Sequence, residues 1–294
     1  MNGIILVDKK AGMSSNKVVN KVKHFLSANK AGHLGTLDLQ GEGLLPVTIN
    51  KGTKVFDYFL SKDKVYRTIF QFGVLTDTLD LEGEITQTDE NANISGQDIE
   101  KIIPDFIGKQ SQMPPVYSAK KINGKTAYSL VRAGKEVALK PKDIEIYNIS
   151  LIKQLDKNIF EFVVHCSAGT YIRSLARDMG EKLGTYGIMR YIQRTKCGMF
   201  SLEDASTLEQ IENGDYKLIL LDKIFEDYDS IKLSREHSQK LLNGQELTCQ
   251  NSGTMRVYNE DNKFLGLGQV KDNRLKLSLR LIWCQFMPQH RRGW

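Results

Sequence analysis

The chemistry in this sequence begins with one acid. Gly32-His33-Leu34-Gly35-Thr36-Leu37-Asp38 sets Asp38 in a loop behind two glycines, just ahead of the apolar run Gly43-Leu44-Leu45-Pro46-Val47. Glycines let a backbone turn tightly and let a substrate come close to it. An aspartate there is placed to face a cleft, although the same residues also describe an ordinary turn with a capping aspartate. Arg173 is a second charge whose position asks for an explanation, its plain reading being an exposed helix residue. It follows Gly169-Thr170-Tyr171-Ile172 at the start of a helical pattern. A cation in a first turn opposes the helix dipole, so its placement calls for a specific partner. A nearby cation also keeps a half-buried carboxylate ionised. The chemistry is that of a single charged carboxylate, nucleophilic or electrostatic.

Other chemistries lack their residues. Cys166, Cys197, Cys249 and Cys284 are dispersed, with no Cys-x-x-Cys pair. Neither zinc nor a disulfide framework is expected. Asp77, Asp80 and Glu82 precede Gly83, but calcium loops need ligands at alternating positions, and the spacing fails. Asn123-Gly124-Lys125-Thr126 matches the end of a phosphate-binding loop, yet its required first glycine falls at Ala119. No metal and no nucleotide cofactor are expected.

The elements that position Asp38 and Arg173 read as follows. Gly3 to Val7 is a strand. Ser14 or Ser15 caps a helix carrying Val18, Val19, Val22, Phe25 and Leu26 and ending near Asn29. Leu44 to Ile49 is a buried strand, and Lys51-Gly52-Thr53 opens an amphipathic helix ending near Leu60. Lys64 to Val74 alternates, with Tyr66, Thr68, Phe70 and Phe72 on one face and Arg67, Ile69 and Gln71 on the other. Ser95 to Ile107 is a helix broken at Pro104. Lys121 to Lys125 reads as a hairpin turn and Thr126 to Ala133 as a short helix. A strand pair follows at Ile144 to Lys153 and Asn158 to Cys166. Thr170 to Leu183 is a helix with Ile172, Leu175, Ala176, Met179 and Leu183 inward. Gly187 to Phe200 is a strand, and Leu202 to Asn213 a polar turn and helix. From Ile231 onward short strands and turns suggest a small β-rich appendage. Hairpin-linked strands favour an α+β domain with a mixed, largely antiparallel central sheet flanked by helices.

The chain of 294 residues, 40% hydrophobic, can build a large core. No run reaches the ~18 apolar residues of a membrane span. The strand-like start argues against a signal peptide, and a cytoplasmic, reduced protein is expected. Net charge is +6, and Lys109 to Lys142 holds eight Lys/Arg against one acid, Glu136. Tyr117 and Tyr128 interleave with these charges, which favours an RNA partner.

Several stretches together resemble the TruB family of pseudouridine synthases, which modify the T-arm of tRNA. They are the Asp38 loop, Lys64-Val65-Tyr66-Arg67, Thr76-Asp77-Thr78-Leu79-Asp80, Cys166 to Arg173 and Arg194-Thr195-Lys196-Cys197-Gly198. They occur in the family's order over Gly3 to Leu281. The resemblance implies the pseudouridine synthase fold over residues 1–228, with an RNA-gripping insertion at about 108–142. It implies a PUA-like RNA-binding domain over 229–282, and leaves 283–294 as a disordered tail. It implies that Asp38 is catalytic, attacking either the base or the sugar carbon of the T-loop uridine at tRNA position 55. Arg173 then pairs with Asp38. Tyr66 stacks on the target base and takes part in proton removal, although a tyrosine on an alternating strand is ordinarily core. Tyr171 supports the site and Asp80 contacts the target nucleotide. His33 fills the stack vacated by the flipped base, where the plain reading is a satisfied loop histidine. Lys120, Lys121, Lys125 and Arg132 grip RNA. The implied enzyme is a cofactor-free, monomeric isomerase.

One departure stands out. The family usually has proline after its catalytic aspartate, and here the run is Leu39-Gln40-Gly41-Glu42. Proline would hold Asp38 extended. Its loss, with Glu42 adding a negative charge, predicts slower catalysis that Leu39→Pro should improve. The alternative is a tRNA-binding or RNA-folding protein with weak or no catalysis. A guide-RNA-dependent relative is disfavoured by the basic insertion, since a stand-alone enzyme needs its own grip.

Overall fold

The computed structural model describes residues 1–117, 121–122, 125–126 and 139–281. Among them, ten strands form the main sheet. Its path runs Leu218–Ile219, Gly3–Lys9, Glu42–Ile49, Gly187–Cys197, Lys64–Phe72, Ile159–Cys166, Lys142–Asp156 and Gly108–Gln112. Ala31–His33 and Phe200–Ser201 pair off this path. The pairings are antiparallel except at one junction, where Gln193 and Arg194 run parallel to Glu42 and Gly43. The expected mixed, largely antiparallel sheet is therefore present.

Alternation sets the faces. In Lys64–Phe72, Tyr66, Thr68, Phe70 and Phe72 are buried while Arg67 is exposed. Phe70, Phe72, Phe160 and Phe162 form one core with Ile172, Leu175, Ala176 and Met179 of the helix Ile172–Lys182. Val18, Val19 and Val22 of the helix Ser15–Phe25, capped by Ser14, join it. The first of these helices lies very close to the sheet. A Cβ on Gly187 would fall 2.1 Å from the Ala176 oxygen, and one on Gly180 would fall 2.4 Å from the Gly187 nitrogen. At the parallel junction Gly43 has φ +89°, and a Cβ there would meet the Arg194 oxygen at 2.5 Å. Only glycine fits such a position.

A five-stranded sheet follows, ordered Ser230–Lys232, Gly253–Tyr258, Phe264–Lys271, Arg274–Arg280 and Leu247–Thr248. Leu233, Leu241, Val257, Leu265 and Leu275 make its own core. Its Leu267 and Leu281 also pack with Ile4, Leu6, Phe59 and Phe225 of the main unit.

Several boundaries differ from expectation. The first helix stops at Phe25, where Ser27 turns to φ 47°. The helix expected from Lys51 is a 3-10 turn over Asn50–Val55 followed by a short α-helix, Phe56–Leu60. Both forms share the i, i+3 neighbours that sequence shows. The strand from Gly187 ends at Cys197; Gly198 has φ +54°, and Phe200–Ser201 pairs back on it. The C-terminal unit contains a helix, Arg235–Leu242, that was expected only as strands and turns. Lys121–Ile122 and Lys125–Thr126 pair as a hairpin. The helix expected from Thr126 to Ala133 lies past Thr126 outside the described residues, as does the 283–294 tail.

Candidate active site

The Asp38 loop is fixed from both sides. Ser15, at the start of its helix, donates from Oγ to the Leu37 oxygen at 3.0 Å and accepts from the Leu37 N–H at 2.9 Å. Beyond Asp38, the Gly41 N–H donates to the Asp38 oxygen at 3.0 Å, closing a four-residue turn. Lys9, fully buried on the first strand, donates its ammonium to the Leu39 oxygen at 3.1 Å and also to the Gly41 oxygen. The Gly12 N–H adds a bond to Leu39 at 3.0 Å. Burial pushes the Lys9 pKa down, while the Glu42 and Asp38 charges oppose that. Glu42 itself accepts from the Tyr191 hydroxyl at 3.0 Å and from the Ala11 N–H at 3.4 Å. These bonds stand where the family pattern has a proline.

Arg173 sits in the first turn of the helix Ile172–Lys182 with its side chain 8% exposed. One terminal nitrogen, Nη2, lies 3.1 Å from Asp38 Oδ2; the other, Nη1, lies 3.3 Å from Asp80 Oδ2. Nη1 also donates to the Thr78 oxygen at 2.9 Å and Nη2 to the Tyr117 oxygen at 3.0 Å. A planar guanidinium with four oxygen partners is held in one orientation. The Asp38 side chain, 51% exposed, is therefore fixed at one oxygen and open at its rim.

Asp38, Tyr66, Tyr171 and Arg173 line one cleft of about 480 Å³, with Lys64, Lys142, Ile192 and Arg194 among its other walls. A larger cavity of about 1010 Å³ is lined by Asn2, Lys51 and Leu221 together with Arg235, Leu242 and Leu265 of the C-terminal unit, and shares no residue with this cleft. Tyr66 is 8% exposed, and burial raises the pKa of its phenol strongly, so it stays protonated across the physiological range. Arg194 is fully buried and donates to the Leu44 oxygen at 2.8 Å and the Gly35 oxygen at 3.0 Å, tying the loop to the parallel junction.

Asp80 is drawn onto Arg173. It accepts from the Thr78 hydroxyl at 2.5 Å and the Glu82 N–H at 3.0 Å. Burial raises its pKa against those bonds and the Arg173 charge. His33 is half-buried on Ala31–His33; burial and then the Arg194 charge lower its pKa, and its Nδ1 has no partner among the described residues. It does not line the cleft. Lys121 and Lys125 lie on the short hairpin, and Lys120 and Arg132 fall outside the described residues.

Sequence reasoning placed none of Lys9, Ser15, Lys64, Gln112, Lys142 or Arg194 at the cleft, reading Ser15 only as a candidate helix cap and Lys142 only as part of the basic segment. Gln112 is the clearest case. Its side-chain oxygen accepts from the Tyr171 N–H at 2.8 Å and its Nε2 donates to the Tyr171 oxygen at 3.1 Å, setting where the Arg173 helix begins. Nothing local in the sequence marks such a pair; only a buried glutamine at a strand end hints at it.

A family model described as "TruB family pseudouridylate synthase (N terminal domain)" matches residues 23–172. Models described as "tRNA pseudouridylate synthase B C-terminal domain" and "Pseudouridine synthase II TruB, C-terminal" match 173–231 and 230–282. A tRNA pseudouridine synthase B of Aquifex aeolicus is 38% identical over 289 residues, covering 96% of this chain and all of the relative. One from Pseudomonas fluorescens is 37% identical over 294 residues, covering 96% of each. A solved Cbf5-Nop10-Gar1 complex contains a chain of the same fold, with TM-score 0.69 and 21% identity over 96% of this chain and 85% of that one. The chain belongs to the TruB family of pseudouridylate synthases.

Proposed function

We propose that this chain isomerises the T-loop uridine of tRNA, position 55, to pseudouridine, with the Asp38 carboxylate as nucleophile. The observation that carries this reading is Asp38 held 3.1 Å from the buried Arg173 guanidinium at the rim of a cleft shared with Tyr66. Arg173 favours the charged carboxylate and aims it. The reaction breaks the C1′–N1 bond and joins C5 to C1′. C5 loses a proton and N1 gains one. No oxidation state changes, so the isomerisation requires no cofactor.

A uridine in a folded loop must leave its stack to reach this cleft. Lys121 and Lys125, with Lys120 and Arg132, supply the grip on the T-arm, His33 occupies the vacated stack, and residues 229–282 add an RNA-binding unit. Asp80 contributes through Arg173. Recognition then rests on the shape of the folded arm and on phosphate charge.

The test is a T-arm minihelix incubated with the purified protein and no additive. The parent should form pseudouridine. Asp38→Asn should bind the minihelix with the parent's affinity and form none. A parent without product removes the functional reading, and an active Asp38→Asn removes the nucleophile.

A further inference from the structure

Lys64 is a buried cation that the chemistry above leaves unused. It begins the strand Lys64–Phe72, on the same face as Tyr66, and lines the same cleft while only 7% exposed. The register sets it opposite Cys166 on one side and Cys197 on the other. Both thiols are fully buried, and burial pushes that of Cys166 up to about 12, so it stays neutral. The ammonium donates to the Lys62 oxygen, and no carboxylate pairs with it among the described residues. Its neighbour Asp63 pairs with His165 at 2.6 Å, and Asp38 pairs with Arg173. Arg194, on the strand alongside, adds a like charge.

An ammonium carries three donors. Here one carbonyl takes one of them, at a position where an unneutralised charge is costly. Such a group, set in a cleft, marks a place where negative charge arrives. The reading under Proposed function supplies that charge. When C1′–N1 breaks, its electron pair stays with the ring, and the detached uracil is an anion whose charge spreads to O2 and O4. The Asp38 carboxylate bonds C1′ as N1 leaves; C5 then displaces that carboxylate from C1′, the C5 proton is released and N1 takes one up. We propose that the Lys64 ammonium receives the negative charge of the detached uracil ring, making Lys64 a second catalytic residue of this cleft.

This assignment rests on the pseudouridine-forming reading. A ring stacked on Tyr66 lies two residues along the same strand face from Lys64. Burial also lowers the Lys64 pKa from 10.5, opposed by Cys197, Cys166 and the Asp63 charge and assisted by the Arg194 charge. Its charge is therefore lost at a lower pH than an ordinary lysine's.

Lys64→Gln and Lys64→Arg should be compared with the parent on the T-arm minihelix, by single-turnover rate, by affinity across salt concentrations and by melting temperature. Removing one preorganised donor from a developing anion costs ~100-fold in rate, which is the loss expected for Lys64→Gln. Its affinity and salt slope should match the parent's, because charge that develops only during reaction contributes nothing to substrate binding. Lys64→Arg should recover at least ~10-fold of that loss and carry the rate to higher pH, since a guanidinium stays charged. A Lys64→Gln rate within ~3-fold of the parent overturns the assignment, being far below the loss of a donor. So does weaker binding with a salt slope reduced by about one, which identifies a phosphate contact instead. A fall in rate and melting temperature that Lys64→Arg does not restore identifies a packing role and overturns it equally. A parent that forms no pseudouridine removes the underlying reading, and this assignment with it.

Discussion

Arg173 joins two acids from different loops: Asp38 Oδ2 lies 3.1 Å from its Nη2, and Asp80 Oδ2 lies 3.3 Å from its Nη1. The span needs two nitrogens in one plane. Arg173→Lys keeps the charge but supplies a single point donor. We expect the single-turnover rate to fall by ~100-fold, as for loss of one preorganised contact, with minihelix affinity unchanged within ~3-fold. Quench-flow and filter-binding measurements check the two parts separately.

The reciprocal amide pair between Gln112 and Tyr171 fixes the start of the Arg173 helix. Gln112→Leu keeps the volume and leaves the Tyr171 N–H without its acceptor. An unmet buried donor costs about 1–3 kcal/mol. Melting should drop by about 2–4 °C per kcal/mol at this chain size. The rate should fall more than the affinity, because the displaced group is the guanidinium and not an RNA contact.

Leu39 occupies the second position of the turn closed by Gly41 N–H to the Asp38 oxygen, and no hydrogen bond among the described residues uses the Leu39 N–H. Proline is favoured at that position. Leu39→Pro should therefore stabilise the fold by about 0.4–1 kcal/mol through the unfolded chain. Lys9 already holds the Leu39 and Gly41 oxygens. The rate should accordingly rise by less than ~3-fold, a small gain in transition-state terms. Calorimetry and single-turnover rates on one preparation decide both.

Glu161, buried at its carboxylate, is bonded by Arg67 and lies 3.7 Å from Lys153. The Arg67 bond, with both positive charges, holds its pKa below the ordinary 4.5. A depressed carboxyl pKa gives stability that is complete above 4.5 and is lost as pH falls below it toward the folded value. Glu161→Gln should cost about 1 kcal/mol near neutrality, with Arg67 more than half exposed and screened. The difference from the parent should vanish in acid. Urea melts between pH 7 and 3 measure it, and a difference that persists at pH 3 contradicts the account.

What sequence made legible was local or charge-coded. Alternation gave Lys64–Phe72 its faces, and apolar spacing gave Ile172–Lys182 its buried side. Arg173 announced a partner because a cation sits badly in a first turn, and the family resemblance pointed to Asp38. What stayed hidden was long-range or weakly patterned. Glu42 and Gln193 meet across the chain where two strands of the main sheet run parallel, which no local period encodes. Gln112 and Tyr171 pair through amides that carry no charge signal. The helix Arg235–Leu242 has only Leu241 and Leu242 as buried apolar anchors, too few to show a stripe.

Gly180 and Gly187 bring the helix of Arg173 down onto the sheet. Neither has a functional group, and neither touches the cleft. Yet the clearance they leave sets how deep the guanidinium sits beneath Asp38. A single methyl at either would jack the helix outward and unseat the pair from a distance. The geometry around Arg173 thus depends partly on two positions that contribute only the space a side chain would fill.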